Sequence, residues 1–347
     1  MVRRSARSWL SLGLVVAGAL VVPLGLRAVS PFLRSPKAAQ SYIPAIETPR
    51  ERAPFDAAVP AGLARNKPGY IIFGDSMGQS RIDARYLSRL VGGRGVQELF
   101  EAARGSAYWY LAFKNWVVAP GIRPKAVLFF FRDENLTDPL FRLWTGTLDP
   151  VATDHEPRLD EILALRANGP YYRVHRAAKA LYQFDTVSEW LVPRLLNAPA
   201  ALVAGRSARG TFVETMNDTV FSLDALRTMA LADMQVADDA ALDFHRFLPA
   251  SVLPEIIRLS KESGIRVVFV RVQRRPTPTG PPPQSLALQR YVKDLARYLM
   301  TNGADFCDDW GDPDEPLSIY EDGDHINRDY RSRYTELFVR KNPGIFR

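Results

Sequence analysis

The chain has 347 residues, 47% of them apolar and 24% charged, which excludes wholesale disorder and fits one large domain or two smaller ones. Its net charge of +7 would ordinarily point to nucleic acid, but residues 1–34 hold five arginines and no acid, leaving only +2 for the rest. The single cysteine, Cys307, excludes an intrachain disulfide framework and a cysteine-cluster metal site, and the four histidines lack metal-ligand spacing.

Residues 8–26 carry no charge over nineteen positions and follow Arg3, Arg4 and Arg7. The segment exceeds the usual apolar core of a secretory signal and just reaches the length of about 20 residues that spans a bilayer. We read residues 1–34 as an uncleaved signal anchor, with a cleaved signal peptide as the alternative. The short head favours an inside N-terminus and a single-pass protein with its body in the periplasm or otherwise outside the cytoplasm. Arg27, Arg34 and Lys37 behind the span weaken that bias. Residues 35–69, rich in Ala and Pro, read as a linker.

A different texture begins at Tyr70. Tyr70–Phe73 is a short apolar run before a glycine, as in a buried parallel strand. Helical spacing follows at 83–91, a weak strand at 96–100, an aromatic helix after Gly105 and a strong strand at Ala126–Phe131. Residues 137–240 are mostly helical in pattern and read as an insertion or cap. The alternation then resumes: helix 250–263, strand 265–272, a Pro-rich loop at 274–284, helix 285–302, strand 304–307 and a last helix at 326–341. Strands alternating with helices predict a three-layer α/β/α domain over 70–347 with a parallel sheet.

Two short motifs carry chemistry. Gly74-Asp75-Ser76 follows the first core strand, where an α/β sheet exposes residues to ligands. Asp322-Gly323-Asp324-His325 precedes the last helix, and an acid three residues ahead of a histidine can fix the imidazole tautomer and leave Nε2 as a base. Gly74-Asp75-Ser76-Met77-Gly78 also fits the nucleophile elbow of α/β-hydrolases, but there several strands precede the serine and the acid and histidine sit on separate loops.

The pairing resembles the SGNH (GDSL-type) hydrolase superfamily over about residues 70–341. The resemblance implies a flavodoxin-like sheet, Ser76 as nucleophile, His325 as general base and Asp322 as its orienter. It implies an oxyanion hole from the amides of Ser76 and Gly105 and a third donor from a Gly-x-Asn-Asp block. Here that block reads Phe131-Arg132-Asp133-Glu134-Asn135, so the donor is Asn135 from a shifted position or Arg132 as a cation. Anchored members with a helical insertion are similar to proteins that add or remove O-acyl groups on cell-surface polysaccharides. The resemblance thus implies a carbohydrate or other ester substrate and a membrane acyltransferase as partner, with no cofactor, no metal and no nucleic acid. A non-catalytic accessory protein of such an assembly is the alternative.

Other candidates have plainer readings. Trp109 and Trp144 are candidates to line a substrate cleft, with core packing as the competing role. The acidic run Asp308, Asp309, Asp312, Asp314 and Glu315 does not fit an EF-hand and reads as a solvated loop. The sequon at Asn135 would put a glycan on the site, and chance is the better reading.

Overall fold

Five strands, three of them apolar runs, lie side by side as a parallel sheet in a computed structural model. The structure describes residues 55–143, 147–153, 156–174, 239–281, 284–321 and 323–347, and positions 21, 25, 28 and 177 besides. The expected anchor at 8–26, save positions 21 and 25, lies outside these residues, as do Asp322, Trp144, His155 and His175. Among the described residues no helix is long and apolar enough to cross a membrane.

The chain divides into two units. One comprises Met1–Ser41, Ala45–Glu51 and Asn168–Ala232; the other comprises Tyr42–Pro44, Arg52–Ala167 and Asp233–Arg347 and holds every strand. The first unit falls mostly outside the described residues, and so does most of the expected insertion. Of that insertion, Pro157–Asn168 and the turn Gly169–Tyr171 are helical.

In chain order the elements are α1 (Ala58–Asn66), β1 (Tyr70–Gly74), α2 (Ser76–Arg81), α3 (Ala84–Leu90), β2 (Val96–Phe100), α4 (Ser106–Ala112) and β3 (Ala126–Phe131). Then come α5 (Pro157–Asn168), α6 (Leu253–Ser263), β4 (Arg266–Arg271), α7 (Leu286–Thr301), β5 (Asp305–Asp308) and α8 (Arg331–Lys341). The strand order is β2-β1-β3-β4-β5, all pairs parallel, which is the flavodoxin-like order. The linker reading fails at α1: Leu63 is buried in the core, and the helix closes with Lys67 in the left-handed region at φ 45.

Strand alternation builds two cores, one on each face of the sheet. Ile71, Phe73, Val127, Phe129, Val267 and Phe269 face one layer with α1, α4, α5, α6 and α7. Tyr70, Ile72, Leu128, Phe130, Val268 and Val270 face the other with α2, α3 and α8. Register places Phe73, Phe129 and Phe269 in one row across β1, β3 and β4, with neighbouring rings stacked at 5.3 and 5.2 Å. Helix α4 is buried at every position, since Ser-Ala-Tyr-Trp-Tyr-Leu-Ala offers no charged face, and it continues as a π-helical stretch, Phe113–Val118.

The order reverses direction at β1, whose neighbours are β2 and β3. Their carboxyl ends therefore frame the crevice where sheets of this kind bind ligands. Ser76 follows β1 and Arg132 follows β3.

Candidate active site

Ser76 is the first residue of α2, and Asp75 is its N-cap. The Asp75 Oδ1 accepts from the Met77 amide at 3.0 Å. The Ser76 amide, in the first turn, has no intrahelical carbonyl to donate to. Asp75 is buried, and burial pushes its carboxyl pKa up, while the Met77 amide and the charges of Arg132, Arg142 and His325 draw it back. The flanking glycines have a packing reason. A Cβ on Gly74 would lie 3.1 Å from Phe100 and Phe130, and one on Gly78 only 2.6 Å from the Phe100 ring. A side chain at Gly78 would force the Phe100 ring to move, and one at Gly74 would need its neighbours to give by a few tenths of an ångström.

His325 meets Ser76 across 249 residues, with its Nε2 2.8 Å from the Ser76 Oγ. The loop that carries it is pinned by α2 itself. Arg81 Nη1 donates to the Asp324 carbonyl at 3.0 Å, and the Ile326 amide donates to Ser80 Oγ at 3.2 Å. The residues on both sides of His325 are thus tied to the helix that presents Ser76. Inside the loop the Glu321 amide donates to the His325 carbonyl, and Tyr320 and Ile326 form an antiparallel bridge.

Arg81 is wholly buried and also donates to the Gln273 carbonyl at 2.7 Å, Tyr320 Oη at 3.3 Å and Glu315 at 3.5 Å. Burial opposes its charge; Glu315 and the nearby tyrosines outweigh burial and raise its pKa. Nothing in the sequence distinguishes this arginine from a surface one.

The third block explains the fate of Arg132. Its Nη1 is 2.6 Å from Asp324 Oδ2, and Asp324 Oδ1 accepts from the Arg275 amide at 2.9 Å. Arg132 therefore joins the end of β3 to the residue before His325. This engagement runs against the expectation that it serves as a free cationic donor. The turn after β3 places Asp133 in the left-handed region at φ 45, a conformation that favours glycine. Arg271 and Arg274 hold it there through ion pairs at 2.8 and 2.5 Å. Asn135 follows in a short 3₁₀ turn, 1% exposed, and neither its Nδ2 nor its Oδ1 has a hydrogen-bond partner among the described residues. A buried amide left this way costs about 1–3 kcal/mol unless a ligand or solvent meets it. Gly105 caps α4, and a Cβ there would come within 2.7 Å of the Phe141 carbonyl.

A cleft of about 490 Å³ opens at the Ser–His pair, lined by Ser76, Gln79, Ser80, Glu321, His325, Ile326, Arg328 and Arg331. Gly105, Asn135, Arg132 and Trp109 do not line it. Trp109 is 0% exposed within the core, so the substrate-lining expectation fails for it: α4 turns all of its faces inward. The acidic run departs from a solvated loop as well. Glu315 pairs with Arg81, Asp308 with Arg271, Asp309 with Tyr334 Oη, and Asp312 with Lys341. Burial pushes the Cys307 thiol up to about 12, so it is no competing nucleophile. Asn135 is too buried to accept a glycan.

No protein-family profile matches the chain, and no curated protein sequence matches it. A solved structure that resembles it is a Bacteroides fragilis protein described as a putative acylhydrolase. That alignment is 10% identical, covers 83% of this chain and 97% of the other, and has a TM-score of 0.34. So loose a likeness carries no inference, and any function must rest on the side chains.

Proposed function

We propose that the chain is a serine-dependent esterase or O-acyltransferase of the SGNH type. One observation carries this reading: a serine hydroxyl and an imidazole 2.8 Å apart, at the carboxyl edge of a parallel sheet where its order reverses. His325 Nε2 takes the proton as Ser76 Oγ attacks the ester carbonyl. The tetrahedral intermediate collapses to acyl-Ser76, and the proton passes to the leaving alcohol. Water as the second acceptor gives hydrolysis; a sugar hydroxyl gives transfer. In either case His325 deprotonates the acceptor and returns the proton to Ser76.

The oxyanion would be met by the Ser76 amide at the helix start, with Gly105 and the unpartnered Asn135 amide as further donors. Asn135 is favoured over Arg132, because Arg132 is engaged by Asp324. Asp322 completes the proposed triad from a position outside the described residues. The uncharged span at 8–26 supports an anchored protein; the outward-facing domain, the cell-surface polysaccharide as substrate and the membrane acyltransferase as partner follow from the SGNH resemblance alone.

The test is labelling of the full-length protein with a serine-directed phosphonate, alongside turnover of p-nitrophenyl acetate. Label on the Ser76 peptide is expected, abolished in Ser76→Ala and strongly reduced in His325→Ala. Turnover should fall by on the order of 10³-fold or more in either variant. A folded protein that takes no label and turns over no ester would overturn the reading in favour of an accessory role.

A further inference from the structure

Two arginines, Arg328 and Arg331, line the Ser76–His325 cleft, two more, Arg132 and Arg142, act through their charge on Asp75, and their commitments differ. Arg132 is held by Asp324 at 2.6 Å. Arg331 lines the cleft but donates to Glu98 at 2.7 Å. Arg328 lines the same cleft, is exposed, and pairs with no carboxylate among the described residues. Arg142 is also exposed and without a carboxylate partner among them. Its charge reaches the Asp75 carboxylate beside the nucleophile. Its guanidinium lies 5.2 Å over the Phe141 ring, and its backbone sits in the left-handed region at φ 51. Left-handed backbone at a non-glycine residue concentrates at ligand-binding positions.

Arg328 in the cleft wall, with Arg142 outside that wall but near enough for its charge to act on Asp75, makes a positive field where a substrate must enter. The cleft wall supplies one acid, Glu321, and one apolar side chain, Ile326. The rest is hydroxyl, amide, imidazole and guanidinium, a lining suited to a hydrated, hydroxyl-bearing substrate rather than a long acyl chain. We propose that the substrate carries an anionic group, a carboxylate or a phosphate, close to its ester, and that Arg142 and Arg328 receive it. Guanidinium forks match both groups. The inference rests on the esterase reading above and names the class of substrate for that site.

Competition against p-nitrophenyl acetate tests it, with the full-length protein in a non-ionic detergent. The competitors are an oligogalacturonate, a glycerol-phosphate oligomer and a neutral xylo-oligosaccharide. At least one anionic competitor is expected to inhibit at a concentration about ten-fold or more below the neutral one. Which of the two does so identifies carboxylate or phosphate. The preference should collapse in the Arg142→Gln/Arg328→Gln double variant and at high salt, and persist in Arg297→Gln on the exposed face of α7. Because the readout is a ratio within one protein, a general loss of activity cancels. Equal inhibition by charged and neutral competitors, or a preference that survives in the double variant, overturns the proposal. If p-nitrophenyl acetate is not turned over, the esterase reading is what fails. Calorimetric titration of the same three competitors then decides the anion site separately: a ten-fold preference lost in the double variant supports it, and none overturns it.

Discussion

Arg132 and Asp324 show how much of a site can rest on residues that touch no substrate. Asp324 is buried next to His325 and accepts from Arg132 and from the Arg275 amide, so the segments that follow β3 and β4 meet at one carboxylate. Removing Arg132 would leave that charge buried with only an amide to answer it, at a cost of about 3 kcal/mol. In Arg132→Ala we expect kcat on p-nitrophenyl acetate to fall about ten- to hundred-fold with KM little changed, and Arg132→Lys to restore part of it. A kcat within two-fold of the native value would exclude the positioning role. Ser76 and His325 were legible in the sequence because each belongs to a short motif of fixed spacing. Arg132 was legible only as a departure from a pattern. Arg81 and Asp324 were not legible, because the partners that join them across the fold lie between 49 and 243 residues away.

At the scale of elements, the close seat of α2 on the sheet explains why two glycines bracket the serine. Gly78→Ala would drive a methyl to within 2.6 Å of Phe100. Relieving that contact should cost about 1–3 kcal/mol and shift Ser76 relative to its base. Gly62, inside α1 with nothing within 4 Å of its would-be Cβ, is the counter-case. Gly62→Ala should stabilise by about 0.5–1 kcal/mol through the unfolded state. Urea midpoints of the two variants should therefore move in opposite directions, and a shared direction would refute the packing argument. Strand positions were read well from apolar runs: the reading 265–272 became Arg266–Arg271, and 126–131 was unchanged. Helix α1 was missed because Ala, Pro and Gly dominate it, and only Leu63 signals its buried face.

For the molecule as a whole, the five-stranded parallel order follows from the alternation of runs, whereas the polar network beneath it does not. Asp309 illustrates the network's cost. Burial and then Glu315 push its carboxyl up to about 7, with Tyr334 Oη and Arg81 acting the other way. A carboxyl with a higher pKa folded than unfolded keeps a native-state proton that the unfolded chain has already released. Its contribution to native stability is fully present below about pH 4 and is lost as pH rises through about 7. The raised Asp75 carboxyl acts in the same direction. The urea midpoint should therefore be lower at pH 8 than at pH 5, and Asp309→Asn, which can still accept from Tyr334, should narrow the gap. An unchanged gap would assign the dependence to other groups.

The 249 residues between Ser76 and His325 also set an order in time. During synthesis Ser76 is laid down well before His325, the residue it meets. Arg81 cannot close onto the Asp324 carbonyl until residue 324 has been made. The Ser76–His325 contact thus assembles only after all five strands have been made, and a chain clipped before residue 325 would hold the serine without the imidazole it meets.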